Sequence, residues 1–312
     1  MICIDGTKLE NLHFKWSSSN KPIAYVSSDD EITIKVPDAS TMQINPHFKT
    51  EDLINLDSSK IDGAVGPIYI NNAEKGDALE IELLDIKVGS WGWSAILADF
   101  GLLKNRYKET LIIWRIKDNI ATANSPTLKN IKLPIAPFLG IIGTTPESGT
   151  FDMISPQHFG GNMDNRLLGK HAKLYLPVLK KGALLSLSDP HALQGDGEVC
   201  GTAIETNAIV SIKTRVLKQQ NLKYPYVIVK NGEKPAELVA TMGIAKNMYI
   251  ASQIAVESMI SMLRKYGVSA EEAYILCSVV GNLRISEIVD KPNFVVSFTM
   301  PKKIVEVLKS GA

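Results

Sequence analysis

The sequence predicts a mainly β protein with an α+β portion, in which antiparallel sheets form a sandwich or barrel and a late helical hairpin packs on a sheet. Strand-like segments separated by Gly, Pro and Asn turns fill the first two thirds of the chain, and no helices alternate between most of them. Helical periodicity appears only from about residue 246 onward. A doubly wound α/β fold is therefore disfavoured.

The clearest predicted strand is "EITIKV", in which Ile32, Ile34 and Val36 alternate with polar residues. This period of two places the three apolar side chains on one face of a half-buried strand. A second strand, "DALEIELLDIKV", changes phase by one residue, which predicts a bulge near Leu83. Further strands are predicted to begin at Leu111, Lys173, Ala183, Ala208, Tyr224, Ala236 and Phe294.

Two helices are predicted near the end of the chain. Residues 246–266 contain no Gly or Pro and repeat apolar side chains at helical spacing, and Gly267 can terminate that helix. The next helix, "SAEEAYILCSVV", opens with Ser269 as N-cap and Glu272 three residues later, which together predict a capping box. We expect these two helices to form a hairpin on the sheet.

The Pro/Gly-rich run over residues 124–164 is predicted to be irregular, and long loops of this kind inside a compact domain are often functional. We divide the chain into a β-rich N-terminal part, residues 1–160, and a C-terminal part, residues 161–312. The C-terminal part carries the catalytic-core strands and the α+β elements. The two parts are expected to pack closely together.

Composition excludes several classes of function. The 312-residue chain is 45% hydrophobic and 21% charged with a net charge of +1, so it lacks the excess of positive charge that is typical of nucleic-acid-binding proteins. No apolar run has the length of a signal peptide or a membrane span, so neither secretion nor membrane insertion is predicted. Cys3, Cys200 and Cys277 are too few and too far apart for a disulfide framework, which favours a cytoplasmic location.

The segment "SDPHALQGDGEVCGTAIE", residues 188–205, concentrates groups that can do chemistry. Asp189 and His191 stand two positions apart, so in an extended segment both side chains face one side and can bind one ion. The preceding "QHFGGNMD" adds His158, Asn162 and Asp164. Imidazole and carboxylate ligands together suit zinc or a similar divalent ion.

The same residues also permit a purely structural interpretation. Asp189 precedes Pro190 and is typical of a turn, His191 can be a hydrogen-bonded core histidine, and Asp164 can cap a turn. An oxygen-rich cluster also suits a calcium ion in a non-catalytic β-sandwich binding module. Because the sequence contains no compact HExxH-like motif, spacing alone leaves these alternatives open.

Glu198 and Glu205 are the candidates for a general base. Both have small and apolar neighbours, and burial among such residues raises a carboxyl pKa toward the neutral range in which a general base works. A salt bridge to one of the lysines is the structural alternative for each glutamate. Cys200 is expected to be a small buried residue rather than a nucleophile.

The motif "GGNMD" followed by "LPVLKKGALLSLSDPHALQGDGEVCGTAIE" resembles the core of the acetamidase/formamidase family of metal-dependent amidases. The resemblance extends through "GPIYINNAEKGDALEIELLDI", "WGWSAILADFGLL", "PIAPFLGIIG" and "SVVGNLRISEIVDKP", and so covers nearly the whole chain. It implies a jelly-roll-like, mainly β fold and hydrolysis of short-chain amides to carboxylate and ammonia. It also implies zinc or another divalent ion and a homo-oligomer, commonly a dimer.

The resemblance and the chemistry of the side chains together define a hypothesis for the site. The expected metal ligands are Asp164 and His191, with Asp189 and His158 as further candidates. The expected catalytic carboxylate, acting on a metal-activated water, is Glu205, with Glu198 as the alternative. The residues expected to bind substrate are Asn162, Gln194 and Asp196. The residues expected to line a cramped pocket are Phe159, Met163 and Trp91 or Trp93.

Three expectations stay open beside this hypothesis. Zinc is the expected cofactor, and calcium is considered as a second or structural ion. Hydrolysis of γ-lactams, which are cyclic amides, is the alternative activity. Two positions depart from the family pattern: Ser188 stands where many members have glycine, and Asn282 where many have aspartate. If that aspartate contributes to the site in relatives, metal number or substrate differs here.

Overall fold

The computed structural model describes residues 2–229 and 237–311. The strands in chain order are β1 (Ile2–Asp5), β2 (Leu12–His13), β3 (Trp16–Ser17), β4 (Ala24–Val26), β5 (Glu31–Val36), β6 (Ala64–Ile70), β7 (Ala78–Val88), β8 (Trp91–Ile96), β9 (Thr110–Lys117), β10 (Ile120–Ala123), β11 (Lys132–Pro134), β12 (Phe138–Gly143), β13 (Thr150–Phe151), β14 (Gly160–Asn162), β15 (Lys173–Pro177), β16 (Leu185–His191), β17 (Ala208–Leu217), β18 (Tyr226–Val229), β19 (Leu238–Ala245), β20 (Asn282–Glu287) and β21 (Phe294–Pro301). The helices are α1 (Met248–Arg264), α2 (Ala270–Val280) and α3 (Lys302–Gly311), and short 3₁₀ helices span Leu9–Asn11, Thr50–Asn55 and Ser58–Lys60.

The strands assemble into open sheets. The largest has nine strands in the order β1-β5-β17-β7-β15-β18-β19-β21-β20, and a six-stranded sheet has the order β14-β12-β16-β6-β2 with β4 beside β6. A four-stranded sheet has the order β11-β10-β9-β8, and β3 pairs with β13. Strands make up 39% of the chain and helices 16%, whereas strand content averages about 20–25%. The predicted mainly β class is confirmed, and within the described residues no sheet closes into a barrel.

The main hydrophobic core lies between the nine-stranded and six-stranded sheets. Ile81, Val210 and Ile212 of the larger sheet share one cluster of fully buried side chains with Leu139 and Leu187 of the smaller sheet. Burial of one such side chain contributes about 1.5–3 kcal/mol, so this layer holds the two sheets together as a sandwich. The larger sheet combines β1, β5 and β7 with strands that follow residue 161.

The predicted strands with alternating side chains are confirmed. In β5 the side chains of Ile32, Ile34 and Val36 are buried and their neighbours are not. The pairing of β7 with β17 slips by one residue between Leu83 and Asp85, which is the predicted bulge. The strand predicted from "AELVATM" is β19 and begins at Leu238, and its proposed first residue, Ala236, lies outside the described residues.

The prediction of an irregular run over residues 124–164 is wrong in part. This run contains the four strands β11, β12, β13 and β14. In β12, "FLGIIG", all six residues are buried. A strand covered on both faces shows no alternation of apolar and polar residues, so the periodicity used to recognise strands was absent from it.

Helices α1 and α2 form the predicted hairpin. The side chain of Asn247 caps α1 by accepting hydrogen bonds from the first backbone N–H groups, and the Ser269–Glu272 capping box opens α2. The inner face of α1 packs on β19 and β21. Gly243 of β19 permits this close approach, because a Cβ atom there would lie 1.8 Å from the carbonyl oxygen of Ala251.

The described helices and cysteines bear on two further expectations. Within the described residues, no helix combines the length and the apolar character that crossing a membrane requires. Cys3, Cys200 and Cys277 are free thiols. Cys200 lies outside the cavity of the site, and its thiol donates to the carbonyl oxygen of Thr202 at 3.3 Å.

Candidate active site

A buried cluster of acidic side chains surrounds His191 at the end of β16. Asp189 lies on the same strand, and Asp164 follows β14 at the edge of the six-stranded sheet. Glu205 lies on a connecting segment whose backbone bridges both His191 and Trp93 of β8. The backbone groups of Glu205 and Trp93 exchange hydrogen bonds of 2.8 and 2.9 Å. The cluster therefore forms where the six-stranded and four-stranded sheets are joined.

The ring nitrogen His191 Nε2 is the centre of the cluster. It lies 2.8 Å from Asp189 Oδ2, 3.1 Å from Glu205 Oε2 and 3.8 Å from Asp164 Oδ1. Two groups of possible metal ligands share this histidine, one with Asp164 and Glu198 and one with Asp189 and Glu205, and each keeps its ligand atoms within 4.8 Å of one another. The sequence prediction of a combined imidazole and carboxylate cluster is confirmed as an arrangement of side chains.

Several oxygens of this cluster have no hydrogen-bond partner among the described residues. They are Asp164 Oδ1, Asp189 Oδ1 and Glu205 Oε2. Buried polar atoms in native proteins nearly always have a partner, so unpartnered atoms call for an explanation such as an ion. Three free carboxylate oxygens beside an imidazole nitrogen are a donor set that fits a divalent cation.

Gln194 fixes the orientation of the central histidine. Its Nε2 donates to the backbone carbonyl of Asp164 at 2.8 Å, and its Oε1 lies 2.8 Å from His191 Nδ1. Because Oε1 can only accept, Nδ1 carries a proton in either charge state of the ring, and Nε2 is the nitrogen left to hold a second proton or a cation. Gln194 does not line the cavity described below, and its contacts with Asp164 and His191 indicate a positioning role, while its predicted role in binding substrate stays a prediction.

Burial of the carboxyl groups, together with their crowding, raises their pKa values. Burial, reinforced by the charge of Asp189, raises the pKa of Asp164 to about 6. Burial also raises the pKa of Asp189 to about 6, against the effect of His191. Burial and the charge of Asp164 raise the pKa of Glu198 well above its usual range, as predicted from its apolar neighbours. A bound cation favours the ionised carboxylates and so opposes all three shifts.

Protonation of His191 competes with metal binding at the same atom. Burial lowers the pKa of the ring, but the carboxylates of Asp189 and Glu205 raise it, and the net result lies well above the ordinary value. A proton and a divalent cation both require the Nε2 lone pair, so binding of a metal releases that proton.

Backbone conformation brings the carboxylates together. Asp164, Asp189 and Glu198 have φ angles of 39°, 58° and 46°, a region that non-glycine residues adopt at an energetic cost and that is concentrated at functional sites. On the neighbouring strand β12, a Cβ atom at Gly140 would lie 2.3 Å from both Asp164 Oδ1 and Asp189 Oδ2. The space between the two carboxylates therefore depends on the absence of a side chain at residue 140.

A cavity of about 180 Å³ adjoins the cluster. Its polar lining includes Asp62, Asn162, Asp164, Asp189, Glu198, Glu205 and Asp290. Its apolar lining includes Leu56, Ile61, Trp93, Leu97, Phe100 and Ile154. Pockets for drug-sized ligands have volumes of about 300–1,000 Å³, so this one suits a much smaller molecule with a polar end and a short apolar part.

Sequence reasoning missed three acidic residues at or beside this cavity. Burial, with the charge of Asp189, raises the pKa of Asp62 well above its usual range, and burial with the charge of Glu287 does the same for Asp290. Burial also raises the pKa of Glu287 to about 8. Glu287 and Asp290 belong to "GNLRISEIVDKP", so the family resemblance was a signal that could have identified them. Asp62 had no comparable signal.

Two predicted site residues lie elsewhere. His158 is exposed at the tip of a tight turn, since the backbone groups of Gln157 and Gly160 hydrogen-bond across it, and it belongs to neither ligand group. Asp196 lies outside the cavity lining and instead accepts from the Arg284 guanidinium at 2.7 Å. The predictions of a metal-binding His158 and a substrate-binding Asp196 are therefore corrected.

The predicted pocket lining is confirmed only for Trp93. Phe159 and Met163 are fully buried in hydrophobic clusters, and Trp91 packs at the edge of another cluster. Asn282 is exposed at the start of β20, so the departure from the family pattern at this position does not alter the lining of the cavity.

Comparisons with known proteins agree with this architecture. The family model described as acetamidase/formamidase matches residues 5–153 and 147–307. The formamidase of Methylophilus methylotrophus is 25% identical, over 95% of this chain and 89% of its own length. The crystal structure of an acetamidase from Bacillus halodurans is 30% identical with a TM-score of 0.89, over 98% of this chain and 99% of that chain.

A more distant structure shares the fold alone. The γ-lactamase from Delftia acidovorans is 22% identical with a TM-score of 0.69, over 96% of this chain and 90% of that chain. The family-model match, by contrast, spans nearly the entire sequence and includes every residue of the His191 cluster. The chain therefore belongs to the acetamidase/formamidase family.

Proposed function

We propose that this protein hydrolyses short-chain aliphatic amides, such as formamide and acetamide, to the carboxylate and ammonia. Membership of the family supports this activity, and relatives named formamidase and acetamidase match along most of the chain. The observation that carries the proposal is the His191 cluster with its unpartnered carboxylate oxygens, which opens on a small cavity.

Asp164, Asp189 and His191 are the proposed ligands of a divalent cation, with zinc as its identity. Their free oxygens and the imidazole nitrogen fit such an ion, and Gly140 leaves room between the carboxylates. When bound, the cation supplies Lewis-acid polarisation of a carbonyl oxygen and lowers the pKa of water. Calcium prefers an all-oxygen shell, so the central imidazole favours zinc at this position, and any calcium ion would be a second or structural one.

Glu205 is the proposed general base, with Glu198 as the alternative. Glu205 Oε1 accepts from the backbone N–H of Ala203, while Oε2 has no hydrogen-bond partner among the described residues. One oxygen thus anchors the side chain, and the other lies 3.1 Å from His191 Nε2, beside the proposed ligands, where it can exchange a proton with water. The carboxylate takes a proton from the attacking water and delivers it to the amide nitrogen, so the C–N bond breaks and ammonia leaves.

Asn162 is the proposed contact for the substrate carboxamide. Its Nδ2 is already engaged by Asp290 Oδ2 at 2.9 Å and by the carbonyl oxygen of Ile154 at 3.2 Å. Its Oδ1 is buried and unpartnered within the described chain. A free acceptor suits the N–H groups of a primary amide. The apolar residues of the cavity then face the acyl chain, and the volume of the cavity limits the length of the acyl chain.

Hydrolysis of γ-lactams remains the alternative activity, although the γ-lactamase structure is the more distant neighbour. A non-catalytic calcium-binding module is disfavoured by the histidine at the centre of the cluster. We further propose a cytoplasmic homodimer as the working form. The C-terminal part, residues 161–312, supplies the clustered carboxylates and His191, which supports its description as the catalytic core.

Ammonia release from formamide, acetamide and propionamide tests the proposed function. The purified protein, the same protein stripped by a chelator, and stripped protein given back zinc would be compared. The cyclic control is 2-pyrrolidone, whose hydrolysis opens the ring without releasing ammonia and is followed by chromatography of the 4-aminobutanoate formed. We expect activity toward the linear amides that disappears on stripping and returns with zinc. Absence of ammonia from folded, zinc-loaded protein would contradict the proposal, and turnover of 2-pyrrolidone alone would favour the lactam alternative.

A further inference from the structure

Seven large apolar side chains are exposed together on the helical hairpin and the edge strand β20. Their exposed fractions range from 43% to 74%, and they are Tyr249, Ile250, Tyr274, Ile275, Val279, Leu283 and Ile285. Three of them, Tyr249, Tyr274 and Leu283, line one groove between α1, α2 and β20, so the three elements adjoin there. We call these seven residues the hairpin patch.

The hairpin does not need these residues for its own packing. Helix α2 already buries Ala273 and Cys277 against the sheet, yet its outer face carries Tyr274, Ile275 and Val279. The outer face of a helix in a soluble protein normally carries polar residues. An apolar patch shared by three elements therefore indicates a surface that another molecule covers.

Strand β20 extends the same surface at the end of the nine-stranded sheet. Leu283 pairs with Phe298, and Ile285 with Val296, and both partners belong to the core beneath the hairpin. The apolar side chains of β20 therefore face the helical side of the sheet, but the hairpin itself packs on β19 and β21. β20 is also the terminal strand of its sheet, and its outer edge is paired at Ser286, whose carbonyl oxygen accepts from the backbone N–H of Gly197.

We propose that the hairpin patch is the interface through which two copies of this chain associate. One large aromatic side chain offers about 150–250 Å², so seven large side chains with these exposures present on the order of 800 Å². A stable interface of standard size buries about 800 Å² per partner. A twofold axis brings the same patch of two copies together, so an apolar surface meets an equally apolar one.

The charges near the patch favour a second copy over a lipid surface. Arg284 lies between Leu283 and Ile285 on β20, so its side chain faces the opposite side of the sheet, where it pairs with Asp196 at 2.7 Å and adds no charge to the patch. Glu257 lies in the groove, and Glu271 is exposed on α2. A membrane-binding helix surface is instead typically rich in Lys and Arg on its polar side.

The proposed interface connects with the catalytic loop. Arg284 of β20 holds Asp196, and the backbone N–H of Gly197 donates to the carbonyl oxygen of Ser286 at 2.9 Å. Glu198 follows directly and lines the cavity. Association of two copies fixes β20 and thereby stabilises the loop that carries Glu198. The proposal of an interface does not depend on the proposed amidase activity.

Measurement of mass in solution by sedimentation velocity tests the interface on the full chain. The monomer mass is 34.1 kDa, and we expect the wild-type protein to sediment at twice this mass over a wide range of concentration. Tyr274→Glu and Val279→Glu place a charge in the patch and are expected to give monomers. The matched control is Tyr107→Glu, since Tyr107 is 65% exposed and Tyr274 is 63% exposed. The control is expected to remain dimeric.

Two results would overturn the proposal. A wild-type protein that is monomeric at every concentration would assign the patch to another partner, and folded Tyr274→Glu and Val279→Glu variants that remain dimeric would place the interface elsewhere. If the variants fail to fold by circular dichroism, hydrogen exchange of the wild-type protein decides. Amides of α2 and β20 gain protection as concentration rises if the proposal is right, and unchanged protection overturns it.

Discussion

At the scale of single residues, the site depends on side chains that leave atoms free rather than on side chains that fill space. Gly140 keeps a gap between two carboxylates, and Glu205 keeps one oxygen without a hydrogen-bond partner in the part of the chain that the structure describes. Gln194 uses both of its polar atoms to hold its neighbours. Substitutions at these positions therefore separate binding of the proposed metal from the proposed catalysis, because each changes one feature of the site.

Replacement of Glu205 by Gln removes the proposed base while keeping the size of the side chain. General acid–base catalysis contributes about 10²–10⁴-fold, so we expect kcat for acetamide to fall by at least about 100-fold. Zinc content measured by mass spectrometry is expected to be unchanged, because the proposed ligands remain. Near-normal turnover in Glu205→Gln would assign the base to another carboxylate, and Glu198→Gln is the comparison that identifies it.

Gly140→Ala tests the space for the metal. The added Cβ atom would lie 2.3 Å from Asp164 Oδ1 and Asp189 Oδ2, so one of the two carboxylates must move. Zinc affinity, measured by competition with a chromogenic chelator, is expected to fall by at least about tenfold, as disturbance of groups around a metal commonly does. Gly195→Ala is the matched control, since nothing lies within 4 Å of a Cβ atom there. Equal zinc affinity in both variants would contradict the proposed binding of zinc between Asp164 and Asp189.

At the scale of elements, local signals identified the segments that carry their pattern on one face. The alternation in β5 and the capping box of α2 both have a direct counterpart in the structure. Strand β12 was not predicted, because it is buried on both faces and shows no alternation of apolar and polar residues. Helix α3 was not predicted either, because its helical periodicity spans only about three turns. Short or doubly buried elements need tertiary contacts to be recognised.

The capping box makes α2 a measurable unit of stability. Ser269 Oγ accepts from the backbone N–H of Glu272, and loss of such a cap costs about 0.5–2 kcal/mol. We expect Ser269→Ala to lower the free energy of unfolding by about 1 kcal/mol in urea titrations. Ser278→Ala in the same helix is the control, because Ser278 is exposed and alanine favours helix. If both variants unfold alike, the cap contributes no net stability.

At the scale of the whole molecule, the site draws on residues far apart in the sequence. Asp62 and Asp290 line the same cavity as Asp164 and Asp189, although they lie far from both in the sequence. The segment around His191 was identifiable from its composition and its family resemblance. The other two carboxylates depend on how the sheets are joined, and no spacing in the sequence encodes that. The positions of Asp196 and His158 in the sequence likewise could not show that Asp196 pairs with Arg284 or that His158 lies in a turn.

The carboxyl cluster also gives the whole protein a pH-dependent stability when no metal is bound. The pKa values of Asp164 and Asp189 are raised to about 6, and that of Glu287 to about 8. A group with a raised pKa in the folded state binds its proton more tightly there, so its contribution to stability is full below about pH 4 and is lost as pH rises through the folded value.

We therefore expect the melting temperature of chelator-treated protein to fall between about pH 5 and pH 8. Zinc should reduce this fall, because a cation replaces the protons that the carboxylates lose. Differential scanning calorimetry at constant ionic strength, with and without zinc, measures both effects. A melting temperature of the treated protein that rises steadily over this interval would show that other groups control its stability.

The acidic lining of the cavity has a consequence for how the reaction ends. An uncharged amide enters without electrostatic opposition, whereas hydrolysis leaves an anion beside Asp62, Glu198 and Asp290. Burial raises the pKa of these three carboxyl groups well above the usual range. Each of them that ionises repels the newly formed carboxylate, so departure of the product toward solvent is favoured as pH rises. Added acetate should therefore be a weak inhibitor of acetamide turnover, and strong inhibition would show that the site retains its product. A lining that favours departure of the anion makes hydrolysis hard to reverse at this site.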